Sequence, residues 1–246
     1  MGGNTILLIH GYPGNGATKF NELVRDAILD THEGCDIIVV DWRRIAGSNY
    51  TQASARVHDV AIDLTRFLQW LIFSSVLPYE GHFHLVGFDL GAHIAGLAGR
   101  YLQTGEVRIQ VGRITGLNPS GHLWGAGSQR LRQGDAIYVE LIYTDTLGVL
   151  ANSDGAAIGD VNFYANGGSN QPGCLTHSCN HERAFELFAA SMINPNLLGH
   201  KCSSMTQMNL NLCRGVPLLK LGGTEFSKNG ASGIYRIDTS RRYPFY

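Results

Sequence analysis

The sequence has little charge and almost no net charge. Only 16% of its 246 residues are Asp, Glu, Lys or Arg, and they sum to −1 at pH 7. No Lys/Arg cluster stands out, so nothing in the electrostatics favours nucleic acid or an anionic membrane surface as a partner. Apolar runs are all shorter than the roughly 18 residues that a membrane span needs, so no span is expected. Nor does the start resemble a signal peptide, since Met1-Gly2-Gly3 leads almost at once into the apolar run Thr5 to Ile9. Internal repeats, low-complexity tracts and linkers are absent too. With 44% hydrophobic residues the chain can bury a full core, which excludes disorder. Residues 1–246 are therefore read as a single α/β domain.

Cysteines number five. Cys174 and Cys179 lie close together beside a Pro-Gly turn, and Cys202 and Cys213 bracket a polar loop; both spacings suit the disulfides Cys174–Cys179 and Cys202–Cys213. Cys174, His177, Cys179 and His181 are the right types for zinc, but no CxxC spacing accompanies them, and no metal is expected. Cys35 is left over, as a free thiol or the half of an intermolecular or ligand bond. Asn49-Tyr50-Thr51 is a sequon for glycosylation at Asn49. Together these favour a secreted, extracellular protein whose leader has been removed.

Taken in order, Thr5 to Ile9 is a fully apolar strand that runs into the turn residues Gly11 to Gly14. A helix over Phe20–Leu29 follows, then a strand over Ile37–Val40. Apolar residues at three-and-four spacing predict one long helix from about Gln52 to Phe73. Further strands are expected near Ile109–Leu117 and Ala136–Thr144, and a helix over Ala184–Met192. Asp154 to Gly173 reads as a loop, and Gly233–Asp238 as an extra sheet edge. Trp42 and Trp70 are read as core. So are most of the histidines, including His10, His84, His93 and His122, as core or loop residues. Continuous apolar strands alternating with helices imply a mostly parallel central sheet with helices on both faces. Such sheets bind ligands beyond the carboxyl ends of their strands.

The most informative stretch is His84 to Gly96. An apolar run ends in Gly87-Phe88-Asp89-Leu90-Gly91 and opens directly into a small-residue helix, the pattern of a nucleophile elbow. Glycines two positions either side of the centre admit a sharp turn that lifts the central side chain above the sheet. An esterase carries serine there; this chain carries Asp89.

The surrounding motifs extend the pattern. Leu8-Ile9-His10-Gly11-Tyr12, Val40-Asp41-Trp42, Asn49 to Ser54, Val86 to Arg100, Gly112 to Pro119, Tyr143-Thr144-Asp145, Asn166-Gly167-Gly168, Pro172-Gly173-Cys174 and Cys179-Asn180-His181 occur in this order along nearly the whole chain. They resemble the pancreatic-lipase family of α/β-hydrolases, including its insect yolk-protein and phospholipase A1 branches. The resemblance implies an α/β-hydrolase fold; the family's C-terminal β-sandwich domain and part of its N-terminal segment have no counterpart in these residues. Carried over position by position, the catalytic serine is Asp89, the triad acid is Asn118 and the triad histidine is His181. The oxyanion-hole backbone positions are Tyr12 and Leu90. A carboxylate has no proton for a base to remove, and a neutral amide cannot stabilise an imidazolium. Loss of a serine nucleophile costs on the order of 10⁶ in turnover in a well-studied protease. Ester hydrolysis by the family mechanism is not expected.

Three functions follow. The first is a pseudoenzyme that carries or stores a hydrophobic small molecule, such as a fatty acid, steroid conjugate, carotenoid or bilin, in the former acyl trough. Tyr12, Phe88, Asp89, Leu90, Leu123, Trp124, Leu147 and His181 are expected to line that trough, left open because the lid is cut to Leu175–Ser178. An open trough and an odd cysteine also point to a dimer. The second is an Asp-nucleophile hydrolase of the epoxide hydrolase or dehalogenase type using Asp89, His181 and Asp145, although no helical cap is visible. The third is a ligand-free storage protein.

Overall fold

The computed structural model describes residues 5–77, 82–105, 108–228 and 230–246. Its strands are β1 (Thr5–Ile9), β2 (Asp36–Val40), β3 (Phe83–Phe88), β4 (Arg113–Leu117), β5 (Tyr138–Tyr143), β6 (Val161–Ala165), β7 (Leu198–Cys202), β8 (Gly215–Lys220) and β9 (Gly233–Ile237). The helices are α1 (Lys19–Leu29), α2 (Arg43–Ala46), α3 (Tyr50–Ala55), α4 (Val57–Phe73), α5 (Leu90–Thr104), α6 (His177–Ile193) and α7 (Met205–Asn209). The strands form one sheet in the order β2-β1-β3-β4-β5-β6-β9-β7-β8. It is parallel from β2 to β9, and β7 and β8 close it with antiparallel pairing. This is the mostly parallel sheet that the apolar strands imply, in the α/β-hydrolase arrangement that the family resemblance implies.

Both faces are covered, which is why the inner strands carry no polar alternation. Leu7, Ile9 and Leu85 pack with α4 and α5, whereas Ile6, Leu8 and Val86 pack with α1 and α6. Alternate side chains of one strand thus feed two separate cores. At about 25 cal/mol per Å² of apolar surface removed from water, these two cores supply the main drive for folding.

Several elements differ from expectation. The single helix predicted from Gln52 to Phe73 is two helices. Asn49 caps α3 by accepting the Gln52 N–H at 3.0 Å, and Arg56, at φ −98° and ψ 2°, separates α3 from α4. Apolar spacing continues across the break, so periodicity hides it. Within the stretch read as a loop lies β6, a five-residue strand flanked by Gly and Asn. Residues 233–237 are not an outer edge: β9 inserts between β6 and β7, with Tyr235 packed on Phe163 at 5.5 Å between ring centroids. Trp42 is buried as expected, but Trp70 is 60% exposed and stacks on Phe67 along the outside of α4. Both expected disulfides are formed, and Cys35 is a half-buried free thiol.

One buried polar network fastens the C-terminal part to the sheet. Glu140 on β5 is fully buried and pairs with the equally buried Arg113 on β4 at 3.1 Å and with Lys228. It also accepts from Tyr138 Oη at 2.7 Å and from the Gly222 N–H at 2.8 Å. Arg113 in turn donates to the carbonyls of Gly222 and Glu225. Removing one partner of such a cluster strands the others without counter-charge, at a cost of about 3–5 kcal/mol. Glu140→Ala should therefore lower unfolding free energy by about that amount in urea titrations; a loss below about 1 kcal/mol would show that the network contributes no more than a surface pair.

Candidate functional site

The elbow follows from close approach. β3 ends at Phe88 and α5 begins at Leu90, leaving Asp89 in the turn at φ 55° and ψ −120°. A Cβ at Gly91 would lie 2.2 Å from the Ile9 carbonyl oxygen, and one at Gly87 would lie 2.3 Å from that of Gly91. Only glycine permits this packing, and the surrounding sheet and helix hold the non-glycine residue between them in a left-handed conformation.

Asp89 does not reach freely into solvent; it is buried, 4% exposed. Its Oδ2 accepts the Tyr12 N–H at 2.9 Å, and the nearby Leu90 N–H and Ser120 hydroxyl also favour the charged carboxylate. Tyr12 and Leu90 supply the pair of backbone donors that the family resemblance assigns to the oxyanion hole. The side chain is therefore seated on the donors that would otherwise face a substrate oxyanion. Burial pushes its pKa up to about 6, with the hydrogen bonds pulling the other way.

Behind Asp89 the polarity of the histidine is set by Asn118. Its Oδ1 accepts two backbone N–H groups, from Thr144 at 2.9 Å and Asp145 at 3.0 Å. Those donors fix the amide orientation, so Nδ2 faces His181 Nδ1 at 2.6 Å. An amide NH₂ can only donate. His181 Nδ1 must accept, and the ring proton belongs on Nε2, which lies 3.7 Å from Asp89 Oδ1. A catalytic triad needs the reverse: a proton on Nδ1 held by the acid and a lone pair on Nε2 toward the nucleophile. Desolvation lowers the His181 pKa to about 4, and protonating Nδ1 would set it against the Asn118 amide hydrogens. Asp89 and His181 are thus a carboxylate beside a neutral imidazole and not an ion pair.

The Asp-nucleophile triad is not assembled either. Asp145 Oδ1 pairs with His177 Nδ1 at 2.7 Å, and its Oδ2 accepts from the N–H and the Nδ2 of Asn152. His177 and His181 sit one turn apart at the start of α6, which Thr176 caps by accepting the Cys179 N–H. The zinc reading fails because Cys174 and Cys179 are bonded to each other. No three potential metal ligands cluster anywhere among the described residues.

A cleft of about 420 Å³ opens over the elbow. Tyr12, Tyr50, Asp89, Ser120 and His122 form one side, and the segment from Val149 to Asn152 forms the other. Tyr12 and Asp89 are where the sequence reading placed them; the other expected lining residues are not. Trp124 is buried, donates to Ser54 Oγ at 2.9 Å and stacks on His93 at 4.4 Å. Leu90 contributes its N–H while its side chain is in the core. Phe88 lies on the far side of the elbow against His181 and Phe185, and lines a separate smaller cleft. His181 lies behind Asp89 and not on the cleft wall. Leu123 and Leu147 are exposed outside the cleft, in the same loops as His122 and Val149. Tyr50 and the 149–152 segment went unread because a sequon tyrosine and an aliphatic loop carry no motif of their own. His10, His84 and His93 are buried structural residues as expected, but His122 is exposed on the cleft.

The raised Asp89 pKa has a signed consequence. The folded state binds this proton more tightly than the unfolded state, so the charged form costs stability above pH 6, by about 3 kcal/mol. That cost fades as pH falls toward the unfolded value of 3.8. His181 acts oppositely, withdrawing stability as pH falls from 6.5 toward about 4, but it does so in any variant that retains it. Asp89→Asn keeps an acceptor for Tyr12 and Leu90 and should exceed the native protein by about 1–3 kcal/mol at pH 7.5, with the advantage shrinking at pH 4.5. Urea titrations at the two pH values measure this; an advantage of equal size at both would refute a buried ionised carboxylate.

The chain was compared with known proteins. A family model described as Lipase matches residues 2–220. Hepatic triacylglycerol lipase of Oryctolagus cuniculus is 32% identical over 85% of this chain and 46% of its own length. Pancreatic lipase-related protein 2 of Cavia porcellus is 32% identical over 87% of this chain and 49% of its own. Phospholipase A1 member A of Rattus norvegicus is 34% identical over 81% and 44%. The chain spans about half the length of these relatives. Elbow, paired backbone donors, and a histidine held behind the turn agree with these matches, and the chain belongs to the pancreatic-lipase family of α/β-hydrolases.

Proposed function

We propose that this member of the family does not hydrolyse esters and instead binds a hydrophobic small molecule over the former catalytic elbow, as a secreted carrier or store. The observation that carries the reading is the Asp89 carboxylate at the elbow, with Oδ2 on the Tyr12 N–H and the Leu90 N–H close by. A carbonyl substrate meets no hydroxyl nucleophile there, its oxyanion donors are engaged, and the adjacent imidazole presents a hydrogen where a base needs a lone pair. The Asp-nucleophile alternative is disfavoured by the same proton on Nε2 and by the commitment of Asp145 to His177.

An apolar rim supports the binding half. Leu147, Val149, Leu150 and Leu175 are all exposed by two thirds or more. They fall on the loops nearest the His177–Asp145 pair and the cleft. Side chains of this kind are costly in water unless something covers them. Two disulfides and the exposed sequon residue Asn49 support secretion.

A short-chain chromogenic ester separates the readings. Native protein should show no turnover above buffer. Asp89→Ser alone should remain poor, because Asn118 still forces the ring proton onto Nε2; a wrong tautomer of this kind lowers turnover about 10⁴-fold in a serine protease. The double variant Asp89→Ser/Asn118→Asp should exceed the single one by roughly 10³-fold or more. Ester turnover by the native protein that Asp89→Asn abolishes would sink the proposal. Native mass spectrometry and absorbance of protein purified from its source should reveal a bound compound of a few hundred daltons, on the order expected for a cleft of this size.

A further inference from the structure

The cleft is chemically one-sided. Its floor is a carboxylate with pKa near 6, ionised at neutral pH. Its wall is aromatic: Tyr12 and Tyr50 meet edge to face at 5.2 Å, and Tyr50 lies 5.3 Å from the His122 ring. Lysine and arginine are absent from its lining among the described residues. Several of the donors that an anionic head group would require are already engaged. Tyr50 Oη is within 2.7 Å of both Ser120 Oγ and the His122 carbonyl, and the Asn152 N–H and Nδ2 both donate to Asp145. The Tyr12 and Leu90 N–H groups are held by Asp89 itself.

Asp89, by contrast, has capacity to spare. A carboxylate has about four lone-pair sites, and Oδ2 takes the Tyr12 N–H while the Leu90 N–H and the Ser120 hydroxyl lie close by. Oδ1 stands 3.7 Å from His181 Nε2, beyond hydrogen-bond range. A buried anion in an aromatic-lined cleft, with no lysine or arginine in that lining among the described residues, is the chemistry that recognises an ammonium group.

Building on the proposed carrier reading, we infer that the ligand bears a cationic head, a protonated or quaternary amine, seated on Asp89 between Tyr12, Tyr50 and His122, with its apolar body leaving along Val149 and Leu150. A carboxylic acid of the same length finds a like charge on the floor and, among the described residues, no lysine or arginine in the lining. Binding a cation also relieves the unfavourable burial of Asp89, so the head group and the protein each lose a solvation shell but gain a counter-charge.

The groups around Asp89 define the pH behaviour. His181 of α6 faces it and stays neutral down to about pH 4. Tyr50 of α3, whose pKa is pushed up to about 12, stays protonated, while Tyr12 from the β1 loop and Ser120 and His122 from the loop after β4 complete the surround. Asp145 lies beyond His181, paired with His177. Octyltrimethylammonium keeps its charge at every pH, so any change in its binding reports on the protein.

The test is calorimetric titration of the full chain with octyltrimethylammonium, octanol and octanoate below their micellar concentrations. At pH 7.5 the cation should bind at least about tenfold more tightly than octanol, and octanoate most weakly. At pH 5, with Asp89 protonated, the preference for the cation over octanol should fall several-fold. Asp89→Asn should remove most of that preference at pH 7.5. Equal affinity for all three probes, or tighter octanoate binding, would overturn the cation assignment and leave the apolar-carrier reading standing. Binding of none of them would overturn both.

Discussion

Two backbone N–H groups at the end of β5 decide the character of this site. Thr144 and Asp145 both need an acceptor, and Asn118 Oδ1 is the one within reach. In a triad the acid at this position could serve those N–H groups with one oxygen and the imidazole with the other, because both of its oxygens accept. An amide has one accepting end and one donating end. Once the accepting end is committed, the donating end is presented to His181, and the proton moves to the other side of the ring.

From that constraint the arrangement propagates outward. An imidazole with its hydrogen toward the elbow suits an acceptor there, and Asp89 supplies one, though at 3.7 Å the two are not hydrogen-bonded. The carboxylate instead takes the Tyr12 N–H on Oδ2, with the Leu90 N–H close by. The changes at positions 89 and 118 are therefore coupled through His181, and each makes sense of the other. The glycine-lined elbow, the strand end at Asn118 and the N-terminal turn of α6 bring Asp89, Asn118 and His181 together. Within that frame the ring proton of His181 points toward the elbow.

A similar distinction separates what was legible in the residues from what was not. The parallel sheet was readable because β1, β3, β4 and β5 are buried on both faces, and their predominantly apolar residues record that burial, with His84, Arg113, Thr115 and Glu140 as buried polar exceptions. The elbow was readable because only glycine tolerates a carbonyl oxygen near 2.2 Å from where a Cβ would stand. The break at Arg56 and the strand β6 were not, since one is a local backbone excursion beneath unbroken apolar spacing and the other a short strand between flexible residues. The lining of the cleft was the weakest inference. Trp124, Leu123 and Leu147 are near His122 and Val149 in sequence, but side-chain direction sends the first into the core against His93 and the other two into solvent.

By itself, the sequence determined the fold class, the elbow and both disulfides, because each rests on a residue type that its local backbone or covalent chemistry demands. The tertiary structure alone decided where the protons go. Which end of Asn118 faces His181, whether Asp145 joins His181 or His177, and whether the Asp89 carboxylate meets solvent or the oxyanion donors all depend on hydrogen bonds between segments dozens of residues apart. The number and direction of donors at such a junction is a property of strands brought side by side, and no single strand carries it.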